Sequence, residues 1–272
     1  MLCYTVTPFT LTAFFRTPSR IEYDITLLVV LALVGIVAGG INTVAGGGSN
    51  LTLPVLMLLG LPADVANGTN RVAVALQCVV GIRGFRNHDR LDEAAILPIL
   101  VPTLIGGVFG SLAAAVIPVT ALKPILLITI ISMSLIILIR PNFIAPPDGT
   151  PVVDVRDNRG AWWMLLFAGI YSGFVQAGVG FILLAALAGG LRYDLVRANA
   201  LKMVCSLGST LIALGVFLYF DMIRWVPGLV LAAGTMLGAW ASVKFAVRAK
   251  QSTIKWFLFV MTLCSCVAAL VF

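Results

Sequence analysis

Charge is scarce in this chain, and its scarcity excludes more than any motif does. Asp, Glu, Lys and Arg make up only 11% of the 272 residues, and the eleven carboxylates all fall between or at the edges of apolar runs. A chain that carried a cation through lipid should keep an acid inside a run, and a carboxylate proton relay needs one too. Asp64 and Asp194, at the ends of two short apolar segments, read as loop or cap residues. The single histidine, His88, stands in a loop with no nucleophile, base and oxyanion set around it, so hydrolytic chemistry has no support. There is no Walker-type glycine loop, no metal pair and no haem motif, so neither ATP-driven work nor a cofactor or metal is expected. The five cysteines, Cys3, Cys78, Cys205, Cys264 and Cys266, are odd in number and lack zinc or disulfide spacing, which leaves them as small apolar residues. The net charge of +7 is spread over short loops instead of a stripe or tail, so nucleic acid is not an expected partner.

What is abundant is apolar surface. Hydrophobic residues reach 60% and mean hydropathy is +1.07, values that no water-soluble core of this length requires. Lipid is therefore the expected solvent. Taking about 20 residues per crossing of ~30 Å, spans are expected at 24–44, 66–84, 94–116 and 121–140, then at 161–178, 198–220, 225–246 and 253–272. Two shorter helices are expected at 46–62, entered through Gly46, Gly47, Gly48, Ser49 and Asn50, and at 180–191. Arg16 and Arg20 precede the first run without a small-residue cleavage site, so it reads as a retained helix. The expected organisation is an N-terminal segment (1–23), a first transmembrane repeat (24–140), a hydrophilic connecting loop (141–160) and a second repeat (161–272).

The duplication is visible in glycine. Gly35, Gly39 and Gly46 fall on Gly169, Gly173 and Gly180, each 134 positions later, and Asn42 falls on Gln176; after a small gap Gly60-Leu61 meets Gly190-Leu191 and Arg71 meets Lys202. Five elements per half is an odd number, so if all cross, the second half is inverted relative to the first. Loop charge agrees: placing Arg83, Arg86, Arg90, Arg140, Arg156, Arg159, Arg192, Arg197, Lys244, Arg248, Lys250 and Lys255 in the cytoplasm satisfies the positive-inside bias, with Arg16 and Arg20 discordant. Re-entrant short helices with four crossings per half would instead make the repeats parallel. The expected fold is thus an all-α polytopic membrane protein of two inverted repeats, each with about five membrane helices of which one is short or broken.

Site chemistry follows from the breaks. Glycines spaced by four let apolar helices approach closely, which accounts for Gly35 and Gly39 without any ligand. Three successive glycines at 46 to 48 are costly inside a helix, and backbone freed there must face protein or a wet cavity, with helix N-terminal amides favouring negative charge. Arg71 lies about 18 Å of helix from Arg83, well inside the layer, beside the polar run Asn67, Gly68, Thr69 and Asn70. Such a guanidinium either binds an anion in a cavity or snorkels to the interface. Lys202, beside Asn199, has the same choice at the inner surface. The candidate substrate-binding residues are Gly46, Gly47, Gly48, Asn50, Asn67, Thr69, Asn70, Arg71, Gln176 and Lys202. Amides and cations without a deep carboxylate make a site for an anion.

The pattern Gly39, Gly46-Gly47-Gly48, Pro54, Gly60-Leu61-Pro62 and Ala66-Asn67-Gly68-Thr69-Asn70, closed by a basic loop, resembles the TauE/SafE family of sulfite exporters and related anion permeases. The resemblance covers nearly the whole chain from about residue 25. It implies a transporter in the cytoplasmic (inner) membrane for a small sulfur-containing anion, such as sulfite or an organosulfonate. Family members often carry Thr-Ser where this chain has Thr69-Asn70. The expected partners are that small anion and the lipid bilayer, with a homo-oligomer left open. Binding between the halves and rocking of one against the other is the expected mechanism, with export favoured by an interior-negative membrane. An anion channel, or a membrane enzyme or accessory subunit of sulfur metabolism, are the competing readings.

Overall fold

The computed structural model describes residues 24–118 and 150–249, together with 120, 121, 128, 253, 256 and 260. The expected segment 1–23, most of the expected spans 121–140 and 253–272, and residues 141–149 of the expected loop lie outside the described residues. Among the described residues there are eight α-helices and no strand: α1 (Ile25–Val44), α2 (Ser49–Leu58), α3 (Ala63–Arg86), α4 (Glu93–Val116), α5 (Arg159–Phe174), α6 (Val179–Leu184), α7 (Leu195–Tyr219) and α8 (Trp225–Arg248). A π-turn over Ala185–Gly190 prolongs α6. Helices α1, α4, α7 and α8 are long and apolar enough to cross a membrane. Helix α3 is as long as α4, but its polar residues Asn67, Asn70 and Arg71 are buried, so its low hydropathy records an inward-facing polar stripe.

Helix starts follow ordinary capping chemistry. The Asp24 side chain accepts from the Thr26 N–H, Asn158 from Ala161, and Asp194 from Val196 and Arg197, so each satisfies donors that a helix leaves free. Asp194 is thus the cap residue it was expected to be. Helix α5 stops at Phe174, four residues short of the expected 178, because Gln176 adopts φ +65° and Gly178 φ +72°.

Packing is exchanged between the halves. Helix α1 lies along α8 and α4 along α5, and both contacts are made by small residues that bring backbones together. Gly35 and Gly39 meet Leu231, Gly234 and Thr235, while Gly169 and Gly173 meet Thr103 and Gly107. These four glycines are therefore packing residues. The order of contacts also gives direction. Ala32 meets Gly234 and Ile36 meets Gly238, so α1 and α8 run parallel; Thr69 meets Gly228 and Gly84 meets Val243, so α3 joins them. Leu166 meets Gly106 and Phe174 meets Gly110, so α4 and α5 are parallel, whereas Arg71 meets Phe217 and Cys78 meets Met203, so α7 runs against α3.

One end of the bundle gathers basic loops. Arg197 pairs with Asp92 at 2.9 Å, the Val153 N–H donates to the Leu191 carbonyl, and Asn158 donates to the Gly190 carbonyl. These contacts bring the α3–α4 loop, the stretch before α5 and the loop before α7 to the same end.

Candidate functional site

Each half breaks after its first helix, and the two breaks begin alike, though they differ where the next helix starts: Gly48 is right-handed (φ −60°) and Gly178 left-handed (φ +72°). In the first, the Ala45 and Gly46 N–H groups both donate to the Ile41 carbonyl; in the second, Val175 and Gln176 both donate to Tyr171. Gly46 and Gln176 both have positive φ, the first helices end at Val44 and Phe174, and the next begin at Ser49 and Val179. All these pairs are 130 positions apart (41 to 171, 44 to 174, 46 to 176, 49 to 179). The 134-residue register drawn from the glycines is corrected by one helical turn, and it then joins Gly60 and Gly190 without a gap. Gln176 consequently occupies the place of Gly46, and not that of Asn42. Carbonyls released by each break face the other half.

Those carbonyls hold the two buried cations. The Arg71 guanidinium donates from Nη1 to the Ser172 carbonyl and to Gln176 Oε1 at 2.7 Å, and from Nη2 to the Gly173 carbonyl at 3.0 Å and Asn67 Oδ1 at 3.3 Å. Its Nε–H has no acceptor among the described residues, and its carbon sits 5.5 Å from the centre of the Phe217 ring. Lys202 Nζ donates to the Asn42 carbonyl at 2.9 Å, the Thr43 carbonyl at 3.0 Å and Asn199 Oδ1. Residues 42 and 43 correspond to 172 and 173 in the 130-residue register, so each half's cation is seated on the C-terminal carbonyls of the other half's first helix. Arg71 is 0% and Lys202 1% exposed, which excludes snorkelling for both. The negative end of a helix dipole, about half a charge, favours a cation there, but it does not neutralise one. The three ion pairs among the described residues, Arg86 with Glu93, Arg197 with Asp92 and Arg224 with Asp221, are at helix ends.

The other expected site residues divide by location. Asn67 and Gln176 join Arg71, and the Gln176 Nε2 donates onward to Thr210 Oγ1 at 2.7 Å. Asn70 faces α2, accepting from Thr52 Oγ1 at 2.7 Å and donating to Ser49 Oγ at 3.1 Å, and so ties the first broken joint to α3. Gly46, Gly47, Gly48 and Asn50 form that joint and are buried. Thr69 lies apart: its Oγ1 accepts from the Arg224 N–H at 3.0 Å and serves the start of α8. Arg71 and Lys202 are not brought together either. Phe217, over which Arg71 lies, is 15 residues along α7 from Lys202, about 22 Å of helix.

Several polar groups at the Arg71 cluster were not anticipated. Ser172 Oγ bonds Ser209 Oγ at 2.6 Å, and Thr210 carries Gln176. Ser209 and Thr210 lie seven and eight residues beyond Lys202, about two turns along one face of α7, a spacing that could have marked them. The carbonyl ligands have no side-chain signature at all.

A family model described as Sulfite exporter TauE/SafE matches residues 31–269. The chain is 29% identical over 248 residues to a probable membrane transporter protein of Haemophilus influenzae, covering 89% of this chain and 93% of that one. It is 26% identical over 237 residues to the probable membrane transporter protein ORF9 of a Sinorhizobium species, with 87% and 90% covered. The probable membrane transporter protein YfcA of Escherichia coli K12 is 25% identical over 236 residues, 84% of each chain.

Proposed function

The chain belongs to the TauE/SafE family of sulfite exporters, and from that premise we propose that this membrane transporter moves a small anion, sulfite or an organosulfonate, across the cytoplasmic membrane. The observation that carries the anionic reading is the pair of buried cations, Arg71 and Lys202, seated on neutral carbonyls with no carboxylate among the described residues bonded to either. Positive charge so held leaves a local potential that a small anion offsets. The joints at Gly46 to Asn50 and Gln176 to Gly180, with Asn67, Asn70, Arg71 and Lys202, are the proposed contact region.

Inverted repeats, 24–140 and 161–272, are supported by helix direction. Helices α1, α3 and α8 run one way and α4, α5 and α7 the other, so α1, α3 and α4 run opposite to α5, α7 and α8, their counterparts in the second half. Alternating access between halves is supported by the broken first helices, whose free carbonyls bond across the repeat boundary. With the basic end in the cytoplasm, an interior-negative membrane drives an anion outward by roughly 2.3 kcal/mol per charge per 100 mV, which favours export without a coupling ion.

The test is reconstitution. Vesicles loaded in turn with sulfite, thiosulfate, sulfoacetate or sulfate should show saturable flux of at least one, and Arg71→Ala should lower it about tenfold or more while inserting normally. Equal flux in the variant removes Arg71 from the path. Ohmic currents would mark a channel, and conversion of a substrate without flux an enzyme.

A further inference from the structure

The third helices of the two halves, α3 and α7, match in a register of 132. Their caps share one conformation, Pro62 at φ −55° and ψ 154° and Asp194 at φ −60° and ψ 156°. Both end in the same turn. The Arg90 N–H donates to the Phe85 carbonyl at 3.0 Å and the Met222 N–H to the Phe217 carbonyl at 2.9 Å, with Asp89 and Asp221 at φ +55° and +56°. Phe85 and Phe217 are therefore equivalent residues. Because α3 and α7 are antiparallel, the two phenyls lie at opposite ends of the bundle, Phe85 at the basic end.

Both are buried where a helix runs out into a loop. Arg86 and Tyr219 beside them are exposed, yet Phe85 is 0% and Phe217 1% exposed. The Phe217 ring lies 5.5 Å from the Arg71 guanidinium carbon and shares an apolar cluster with Val72, Ala213 and Ile223. Phe85 lies one turn beyond Gly81 on the α3 face that meets Met203, the neighbour of Lys202, and shares a cluster with Leu195, Ala198 and Met203. Lys202 is seven residues, about 10 Å of helix, from the start of α7 at that end. Each phenyl thus stands between a cation of the other half and the nearer end of the bundle.

Neither phenyl is needed to hold its cation, which carbonyl and amide oxygens already do. An apolar plug instead stops ions, which would have to shed water that nothing there replaces. We propose that Phe85 and Phe217 are the two gates of the anion path, one at each end, and that both are shut in this structure. The proposal rests on the anion-transport reading and adds to it the residues that alternate. Rocking one half against the other carries a phenyl off its cation, because the two belong to different halves.

Ser206, buried on α7 one turn beyond Lys202 and one before Thr210, offers a place for a reporter between the gates. In Ser206→Cys, a membrane-impermeant anionic methanethiosulfonate should label the new thiol about tenfold faster once Phe85→Ala or Phe217→Ala is added, each from one membrane face and the two from opposite faces. Label is counted over the Ser206 parent carrying the same alanine, which subtracts the native cysteines. Leucine at either place should keep labelling slow, since the plug stays apolar and nearly full. Where an alanine variant does not insert, valine opens part of the same gap and is read in the same way. Phe85→Ala combined with Phe217→Ala should leak radiolabelled sulfite from proteoliposomes without saturation, about tenfold or more above either single variant, because gates in series seal until both are open. Unchanged labelling, labelling of both variants from the same face, or a single variant that leaks as much as the double overturns the proposal. Wild-type protein that moves none of the tested anions would instead sink the transport reading, whereas labelling needs no flux and still reports on the gates.

Discussion

Gly180 donates its backbone N–H to the Gly46 carbonyl at 3.3 Å, and the two residues lie so close that a Cβ on either would overlap the other's backbone. The broken joints of the two halves thus meet glycine on glycine. Gly180→Ala should destabilise the protein by about 1–3 kcal/mol through overpacking. Gly46→Ala should cost about 1–2 kcal/mol more, because φ +96° is unfavourable for any residue with a side chain. Thermal unfolding in detergent should rank wild type above Gly180→Ala and that above Gly46→Ala.

Removing the second cation should harm stability. In Lys202→Met the Asn42 and Thr43 carbonyls and Asn199 Oδ1 all lose the donor they share. A loss on the order of 3 kcal/mol is expected from orphaned buried acceptors. A melting temperature equal to wild type would mean that water replaces the ammonium, and that the clamp is not structural.

Substrate charge should be read at the sulfonate's other end. The carbonyl and amide oxygens of both clamps are already taken by Arg71 and Lys202, and among the described residues no carboxylate is bonded to either cation, so a further ammonium group would meet like charge there. Ethanesulfonate should compete with sulfite flux about tenfold better than 2-aminoethanesulfonate, its zwitterionic counterpart. Equal competition would point to an acceptor for the amine.

The basic end should respond to alkali. Burial, and then the neighbouring Asp92 carboxylate that accepts from the Tyr193 hydroxyl at 3.3 Å, push the Tyr193 phenol up to about 12. The unfolded phenol ionises near 10, so the stabilisation tied to the neutral phenol is complete below about pH 10 and is lost as pH rises toward 12. Tyr193→Phe should flatten the fall in melting temperature over that window. A variant whose profile parallels wild type would assign the alkaline loss to other groups.

Much of the helical layout was legible in residues. Asp24, Asn158 and Asp194 are cap types at the positions where helices begin, and the apolar runs expected for α4, α7 and α8 match their bounds within a few residues. The end of α5 was not legible, because nothing in a glutamine marks a left-handed backbone. The repeat register slipped for a related reason. Glycines four apart look the same when shifted by one turn, so Gly35 and Gly39 match Gly169 and Gly173 as sequence, while in the structure Gly39 and Thr43 hold the places of Gly169 and Gly173. Asn67, Arg71 and Gln176 were recognisable as site candidates by polarity in an apolar setting. Thr69 shared that signal, yet serves the start of α8.

Composition by itself determined the solvent, the helical class and the need of Arg71 for a partner, because an apolar chain leaves a buried charge few alternatives. Only the tertiary structure decided what that partner is: backbone carbonyls of Ser172 and Gly173, 101 and 102 positions away. A carbonyl is present on every residue and carries no identity. Which ones are free to bind depends on where a helix breaks and which neighbour the break faces, and both are properties of the assembled bundle.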